Sequence, residues 1–466
     1  MEDLTINIIF FAELLLAVII IGVFTWHLYY LKQFQILSKK YLKIIKKRDL
    51  PIFYSTFGIK KEALKKFFHL RPHKETVFYR MALKNPKQTL KILEYHIKKH
   101  PKNLHLLLLL AELNHLLFNR AHFVHIVESV HLPRFLPQHL KAQYLRLSAL
   151  NNLYQTDMLT SSTQISKALK MYQKLGYTYE EGQCYLIIAQ IYRISGVHDV
   201  AFTMLKEAKK IFKQLNIQAK IAEVEAYIGL TEIGRENFTP ASEYLESAAK
   251  ICLKNNLQNT LADIKNWQGL AAFLTKKTKT AEKFFNQTLE MTKNRPTLCF
   301  ATEMLARIAL KNKNFDKALS FAEKALNFAK QQNHRPGIFE NLYLQAEIYY
   351  LKKDYIQSRK ILTQLVKEKN PPSAIYYPAN AYTLLGLVEF MEENLDKART
   401  LFKQALDLEH AQNRLKGAAF DYNNLAELSK RMGDLPEAEK YLKKALEYAK
   451  EIEDKELISY LQPKLN

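Results

Sequence analysis

The sequence predicts an all-α fold, an α-solenoid of antiparallel helix pairs that follows one N-terminal transmembrane helix. Three observations carry this. Gly and Pro number only 12 and 14 in 466 residues, too few for a chain that turns back every few residues between strands. An apolar run stands near the start. Over most of the remainder, small residues recur about every 40 positions, the mark of a stacked repeat.

The apolar run "IIFFAELLLAVIIIGVFTW" (residues 8–26) is 19 residues long and holds a single ionisable group, Glu13. As a helix it reaches roughly 28 Å, enough for the hydrocarbon core of a bilayer. A cleaved leader would carry basic residues before the run and small residues after it. Here Glu2 and Asp3 precede it, and Trp26, His27, Tyr29 and Tyr30 follow. A retained transmembrane helix is therefore expected over residues 8–30, behind a short tail of residues 1–7.

Lys32, Lys39, Lys40, Lys43, Lys46, Lys47 and Arg48 follow the run, and no Lys or Arg precedes it. The positive-inside rule then places the N-terminus outside and the body in the cytoplasm, as in a single-pass protein of a bacterial inner membrane. The opposite topology is the alternative. Trp26, Tyr29 and Tyr30, with Lys39 and Lys40, are the expected membrane-interface residues. For the basic juxtamembrane segment 31–56 two readings stay open: a topology signal alone, or a patch on anionic headgroups at about 1 kcal/mol per basic residue. Glu13 either snorkels or stays protonated near the outer end, or serves a helix–helix contact.

The net charge of +23 is uneven: residues 27–140 carry 22 Lys and Arg against 6 Asp and Glu, residues 141–466 carry 47 against 37. The excess sits beside the predicted anchor, and the later helices mix both signs, so nucleic acid is not the expected partner. Cys184, Cys252 and Cys299 are scattered with no C-x-x-C pair, which predicts buried small hydrophobes and neither zinc nor redox chemistry. No nucleophile, metalloprotease or phosphate-loop motif is present, so no catalysis and no cofactor are expected. Eight of the 14 histidines cluster: His96, His100, His105, His115, His122, His125, His131 and His139. His96/His100 and His122/His125 have a spacing that suits metal ligation, but no acid or thiol accompanies them, so surface or inter-helix positions are expected and no metal.

The repeat is read from Ala149, Ala189, Gly229, Gly269, Ala306, Ala346, Gly386 and Ala426, spaced by 40 except for one step of 37. Twelve residues after each stand Ser161, Ala201, Ala241, Ala281, Ala318, Ser358, Ala398 and Ala438. Seven further on come Ala168, Ala208, Ala248, Thr288, Ala325, Leu365, Ala405 and Ala445. Between these two sets lies a mostly bulky position: Ile165, Leu205, Leu245, Phe285, Ala322, Leu362, Phe402 and Leu442. Small residues at fixed points let two helices approach closely, and the bulky one fills the gap beside them. One such pair cannot bury its apolar face alone, so neighbours must stack. Eight pairs are expected over residues 141–450. "RISGVHD", "KNKNFD", "LKKDY", "MEENLD" and "KRMGDLPE" mark turns inside pairs, while "NRP", "NHRPG" and "NPPS" mark breaks between them. Upstream, residues 57–140 read as degenerate helical repeats, with Pro86 and Pro101 as helix starts and "HLPRFLPQHL" as a break. Residues 451–466 read as a capping helix.

"IIAQIYRISGVHDVAFTMLKEA" (residues 187–208) and "LARIALKNKNFDKALSFAEKA" (residues 305–325) resemble the tetratricopeptide repeat family. The 40-residue period in place of the usual 34 is similar to the long-helix subclass of kinesin-light-chain-like and Leu-Gly-Asn-type repeats and of bacterial peptide-sensing regulators. Anchor, basic neck and repeats together are similar to membrane-anchored bacterial proteins of the lipopolysaccharide assembly protein B and HemY-like families, without the zinc module of the first. The resemblance implies that the first helix of each pair lines a concave groove. Its groove positions fall on Gln143, Arg146, Gln183, Gln190, Arg193, Asp263, Asn266, Glu303, Arg307, Glu340, Tyr343, Glu347, Tyr350, Asn380, Asn423 and Glu427. It also implies a scaffold or adaptor that recruits a protein or peptide to the membrane, alone or in complex with other membrane proteins. The alternative is a regulator whose solenoid changes shape on binding a signalling peptide.

Overall fold

The structure, a computed structural model, describes residues 86–99, 103–116, 119–133, 136–368 and 377–465. The tail 1–7, the expected transmembrane helix 8–30 with Glu13, Trp26, Tyr29 and Tyr30, and the segment 31–56 with Lys39 and Lys40 lie outside these residues. Among the described residues, no helix is long and apolar enough to cross a membrane.

The described residues are all-α. In chain order the helices are α1 Pro86–Lys99, α2 Leu104–Leu116, α3 Arg120–Ser129, α4 Gln138–Tyr154, α5 Met158–Leu175, α6 Thr178–Ile194 and α7 His198–Gln214. They continue as α8 Gln218–Gly234, α9 Phe238–Asn255, α10 Gln258–Leu274, α11 Thr278–Met291, α12 Arg295–Lys311, α13 Phe315–Gln331 and α14 Arg335–Leu351. The last are α15 Tyr355–Val366, α16 Tyr377–Met391, α17 Leu395–Ala411, α18 Leu415–Arg431, α19 Leu435–Glu451 and α20 Lys455–Leu461, then a 3-10 turn Gln462–Lys464.

What separates the helices is a left-handed residue repeated every twenty positions: Thr156, Gly176, Gly196, Asn216, Glu236, Asn256 and Lys276, then Lys313, Asn333 and Lys353, then Glu393, Asn413, Gly433 and Glu453. There the backbone folds onto the helix it has just left. The Ile217 N–H donates to the Phe212 carbonyl (3.0 Å) and the Asp434 N–H to the Ser429 carbonyl (2.9 Å), satisfying carbonyls that a helix end leaves open. The next helix starts at once. Asn314, Asp354, Asp434 and Asp454 cap α13, α15, α19 and α20 by accepting the N–H three residues on. "RISGVHD", "KNKNFD", "LKKDY", "MEENLD" and "KRMGDLPE" fall at turns of this kind, and "NRP" and "NHRPG" open α12 and α14. "NPPS" lies outside the described residues.

The 37-residue step has a local cause. α11 is 14 residues long and ends in extended Thr292 (φ −138°, ψ 156°), with no left-handed residue. Thr292 Oγ1 accepts the Asn294 N–H (3.0 Å), and Asn294 Nδ2 donates to Thr297 Oγ1 (2.7 Å), which starts α12 early.

The chain divides into two compact units: Met1–Leu153 with Met158–Lys276, and Tyr154–Asp157 with Lys277–Asn466. In the first, Ala149, Ala189, Ala201, Ala208, Ala241 and Ala248 are buried where helices meet, with Ile165, Leu205 and Leu245 between them. Ser161 Oγ donates to the Ala149 carbonyl at 2.7 Å, so backbone and side chain of paired helices touch. A Cβ on Gly229 would lie 2.7 Å from Leu245 Cγ and 3.1 Å from the Ala241 carbonyl oxygen; hydrogen is what fits.

The second unit repeats the device. Ser358 Oγ donates to the Ala346 carbonyl at 2.9 Å, and a Cβ on Gly386 would lie 2.6 Å from Phe402 Cε1. Ala398, Phe402, Leu442, Ala445 and Ala449 form one cluster that Leu457 and Leu461 of α20 complete. Burying each such Phe or Leu contributes about 1.5–3 kcal/mol. The three cysteines are buried and none forms a disulfide; burial pushes the Cys184 and Cys252 thiols up to about 12.

Candidate functional site

The polar positions singled out on the first helices divide into three local arrangements, two in the first unit and one in the second, with a further contact at the chain's end. In the first unit, Glu112 on α2 accepts from Gln143 Nε2 (2.9 Å) and Arg146 Nη2 (2.8 Å) on α4. The Arg146 and Glu112 side chains are only 5% and 10% exposed, so the pair is almost wholly buried. Arg146 also donates to the Tyr172 hydroxyl, whose pKa burial raises. His115 tilts on Phe123 at 5.6 Å; burial, then the Lys220 and Arg146 charges, bring it down to about 3 and leave it neutral. Gln143 and Arg146 are thus both committed to Glu112, the first by a hydrogen bond and the second by an ion pair.

Arg193, at the C-terminal end of α6, is different. It is partly buried, its Nε is enclosed without a hydrogen-bond partner, and burial lowers its pKa. The Tyr227 hydroxyl of α8 lies within electrostatic reach. The Tyr227 ring meets Trp267 of α10 at 5.2 Å, tilted by 42°. Gln190, one turn before Arg193, is partly exposed; Gln183 donates to the Tyr179 hydroxyl (2.8 Å). Asn266 is buried and Asp263 partly so.

In the second unit, Arg307 on α12 binds Glu303 one turn earlier (3.0 Å) and reaches Glu340 on α14 (3.5 Å). Glu347 faces the same guanidinium: burial raises its pKa and Arg307 lowers it. Burial, then Glu347, pushes the Tyr343 phenol up. Tyr350 tilts against Tyr355 at 5.9 Å. On α18, Asp421 is 1% exposed and accepts from Thr383 Oγ1 (2.8 Å); burial takes its carboxyl up to about 7. Asn380 is partly exposed. Asn423 and Glu427 accept from Lys464 Nζ (3.0 and 2.8 Å), so the chain's own end occupies them.

The sequence-predicted residues Glu303, Arg307, Glu340, Tyr343 and Glu347 come together, as do Gln143 with Arg146 and Asn423 with Glu427. Glu112, Tyr227, Trp267, Asp421 and Lys464 were not singled out. Glu112 had a signal, a lone charge in "LLLLLAELNHLL". Of the clustered histidines, His122, His125 and His131 are exposed, while His100 and the side chains of His96 and His105 lie outside the described residues. Among the described residues no group of three His, Cys, Asp or Glu could hold a metal ion.

Residues 377–451 match the tetratricopeptide repeat family. The chain thus carries tetratricopeptide repeats over α16 to α19. Its repeats share their fold with NprR solved in complex with its cognate peptide NprX (TM-score 0.53, 16% identity, 76% of this chain and 99% of that one). A Rap protein complexed with competence and sporulation factor is similar as well (TM-score 0.52, 14% identity, 80% and 98%). So is a signal-transduction ATPase with a tetratricopeptide repeat sensor from Pyrococcus horikoshii (TM-score 0.50, 16% identity, 73% of this chain). This chain spans about half, 54%, of that last one. At these identities the likeness is one of fold. No curated protein matches the sequence.

Proposed function

We propose that this tetratricopeptide-repeat protein binds a peptide or an extended protein segment along the first helices of its pairs and holds it at a membrane as an adaptor, without catalysis of its own. The observation that carries this is the set Glu303, Arg307, Glu340, Tyr343 and Glu347, charged and phenolic groups gathered from two successive first helices, α12 and α14. Such a set offers oriented donors and acceptors to a backbone and to side chains of either sign. The NprR and Rap structures of the same fold hold a cognate peptide and competence and sporulation factor, which supports the reading. Membrane attachment, single-pass at a bacterial inner membrane with the body inside, rests on the apolar run 8–26 and the lysines after it.

A second reading is favoured by the same neighbours, one of which is an apo quorum sensor from B. thuringiensis: a regulator that responds to a signalling peptide. Photo-crosslinking probes at Arg193, Arg307 and Tyr350 of the full chain in cells, with an exposed outer-helix control at Lys210, test the binding surface. A shared adduct at the first three supports it. Adducts at Lys210 alone would remove it. A ligand-dependent change in hydrodynamic radius separates regulator from adaptor.

A further inference from the structure

We propose that Arg193 is the anchor for a carboxylate of the bound peptide. This rests on the peptide-binding reading and adds a chemical preference to it.

The argument starts from how this chain treats its guanidinium groups. Arg146 pairs with Glu112, Arg235 with Asp199 and Glu232, Arg307 with Glu303, Arg359 with Glu389, Arg399 with Glu437 and Arg414 with Glu409. Among the described residues Arg193 has no carboxylate within ion-pair distance and no side-chain hydrogen bond, although it is partly buried. The titratable groups near it are Tyr227 of α8 and His198 of α7, with Arg235 at the end of α8. None is an acid available to it: Asp199 and Glu232 are taken by Arg235. His198 is held toward its neutral form by burial and then by Arg193 and Arg235.

A guanidinium partly withdrawn from water without a counter-ion carries a desolvation cost that no acid of the chain offsets, and its terminal nitrogens stay open to a ligand. A carboxylate supplies it, because two parallel N–H···O bonds match the planar fork. Beside the fork, Tyr227 and Trp267 stand ring against ring on the next two first helices and form an apolar shelf for the atoms that carry the carboxylate. The carboxylate can be the peptide's C-terminus or an Asp or Glu side chain; the chemistry at Arg193 is the same.

The test uses the full-length chain and hexapeptide libraries fixed at one position to Asp/Glu, to Asn/Gln or to Lys/Arg, each made with a free and with an amidated C-terminus. Retained peptides are read by mass spectrometry. Peptides bearing a carboxylate are expected at least about tenfold enriched, and Arg193→Gln is expected to abolish the enrichment while other retained peptides stay bound. Arg193→Lys, which keeps the charge and loses the fork, should recover only part of it. Enrichment that survives amidation assigns a side-chain carboxylate; enrichment that needs the free end assigns the terminus. Peptides retained without a carboxylate preference, or a preference unchanged in Arg193→Gln, overturn the assignment and leave peptide binding standing. Retention of no peptide overturns both. Circular dichroism of the variants confirms that the helices are intact.

Discussion

Two arginines on consecutive first helices show how little residue type says without its surroundings. Arg146 and Arg193 were both read as groove residues from one register, yet Arg146 is tied to Glu112 and Arg193 has no acid. Arg146→Met takes the guanidinium from the buried Glu112 carboxylate, so it should cost about 3–5 kcal/mol. Arg193→Gln breaks no pair and should change stability by less than about 0.5 kcal/mol, or raise it. Denaturant unfolding of the two variants checks this; equal losses would sink the contrast. Asp421 gives a pH prediction. Its carboxyl rises from 3.8 to about 7 through burial, opposed by bonds from Thr383 and Asn424 and by Arg414, and aided by Glu409; its charge is also felt at Tyr343. The folded chain then holds a proton that the unfolded chain releases. The stability this contributes is full below 3.8, falls as pH rises, and is lost past about 7, a change of about 4 kcal/mol. Asp421→Asn should flatten that dependence between pH 4 and 8 and raise the melting temperature at pH 8; an unchanged slope would refute it.

The element scale is where the sequence was most legible. Close approach between paired helices demands small residues, and Ser161, Ala201, Ala241, Ser358, Ala398 and Ala438 are all buried at the contacts their spacing predicted. Turns were legible where they carry Gly, Asn or Asp, as in "RISGVHD". They were silent at Glu236 and Lys276, whereas "LKKDY" and "MEENLD" marked the turns at Lys353 and Glu393; all four are left-handed without a residue that prefers it. There the hydrogen bonds that close each helix hold the conformation, not the side chain. The strain is removable: Lys353→Gly should raise stability by roughly 1 kcal/mol, and Asn413→Gly by less, since Asn tolerates this conformation. Thermal unfolding of the pair measures it, and a loss on Lys353→Gly would show the Lys353 side chain to be needed. The ion pair was illegible for another reason: Glu112 lies 34 residues before Arg146 and outside the repeat, so no periodicity points to it.

At the scale of the whole molecule, charge and attachment are the open chemistry. Residues 27–140 hold most of the excess positive charge, directly after the apolar run. If that run anchors the chain as proposed, deletion of residues 1–30 should move the protein from a carbonate-resistant membrane pellet to the supernatant. A truncated chain that still resists carbonate extraction would count against the anchor. The repeats themselves have a different large-scale property, which follows from the twenty-residue beat of left-handed residues. Excision of the chain between Asn216 and Asn256 would rejoin it in phase, each surviving helix meeting a neighbour with the same small-residue contour. Such a gene can lengthen or shorten by whole helix pairs through unequal recombination without first passing through a misfolded product. Across the 37-residue step from Gly269 to Ala306, the same exchange would arrive nearly one helical turn out of register, so inherited changes in length should gather on either side of it.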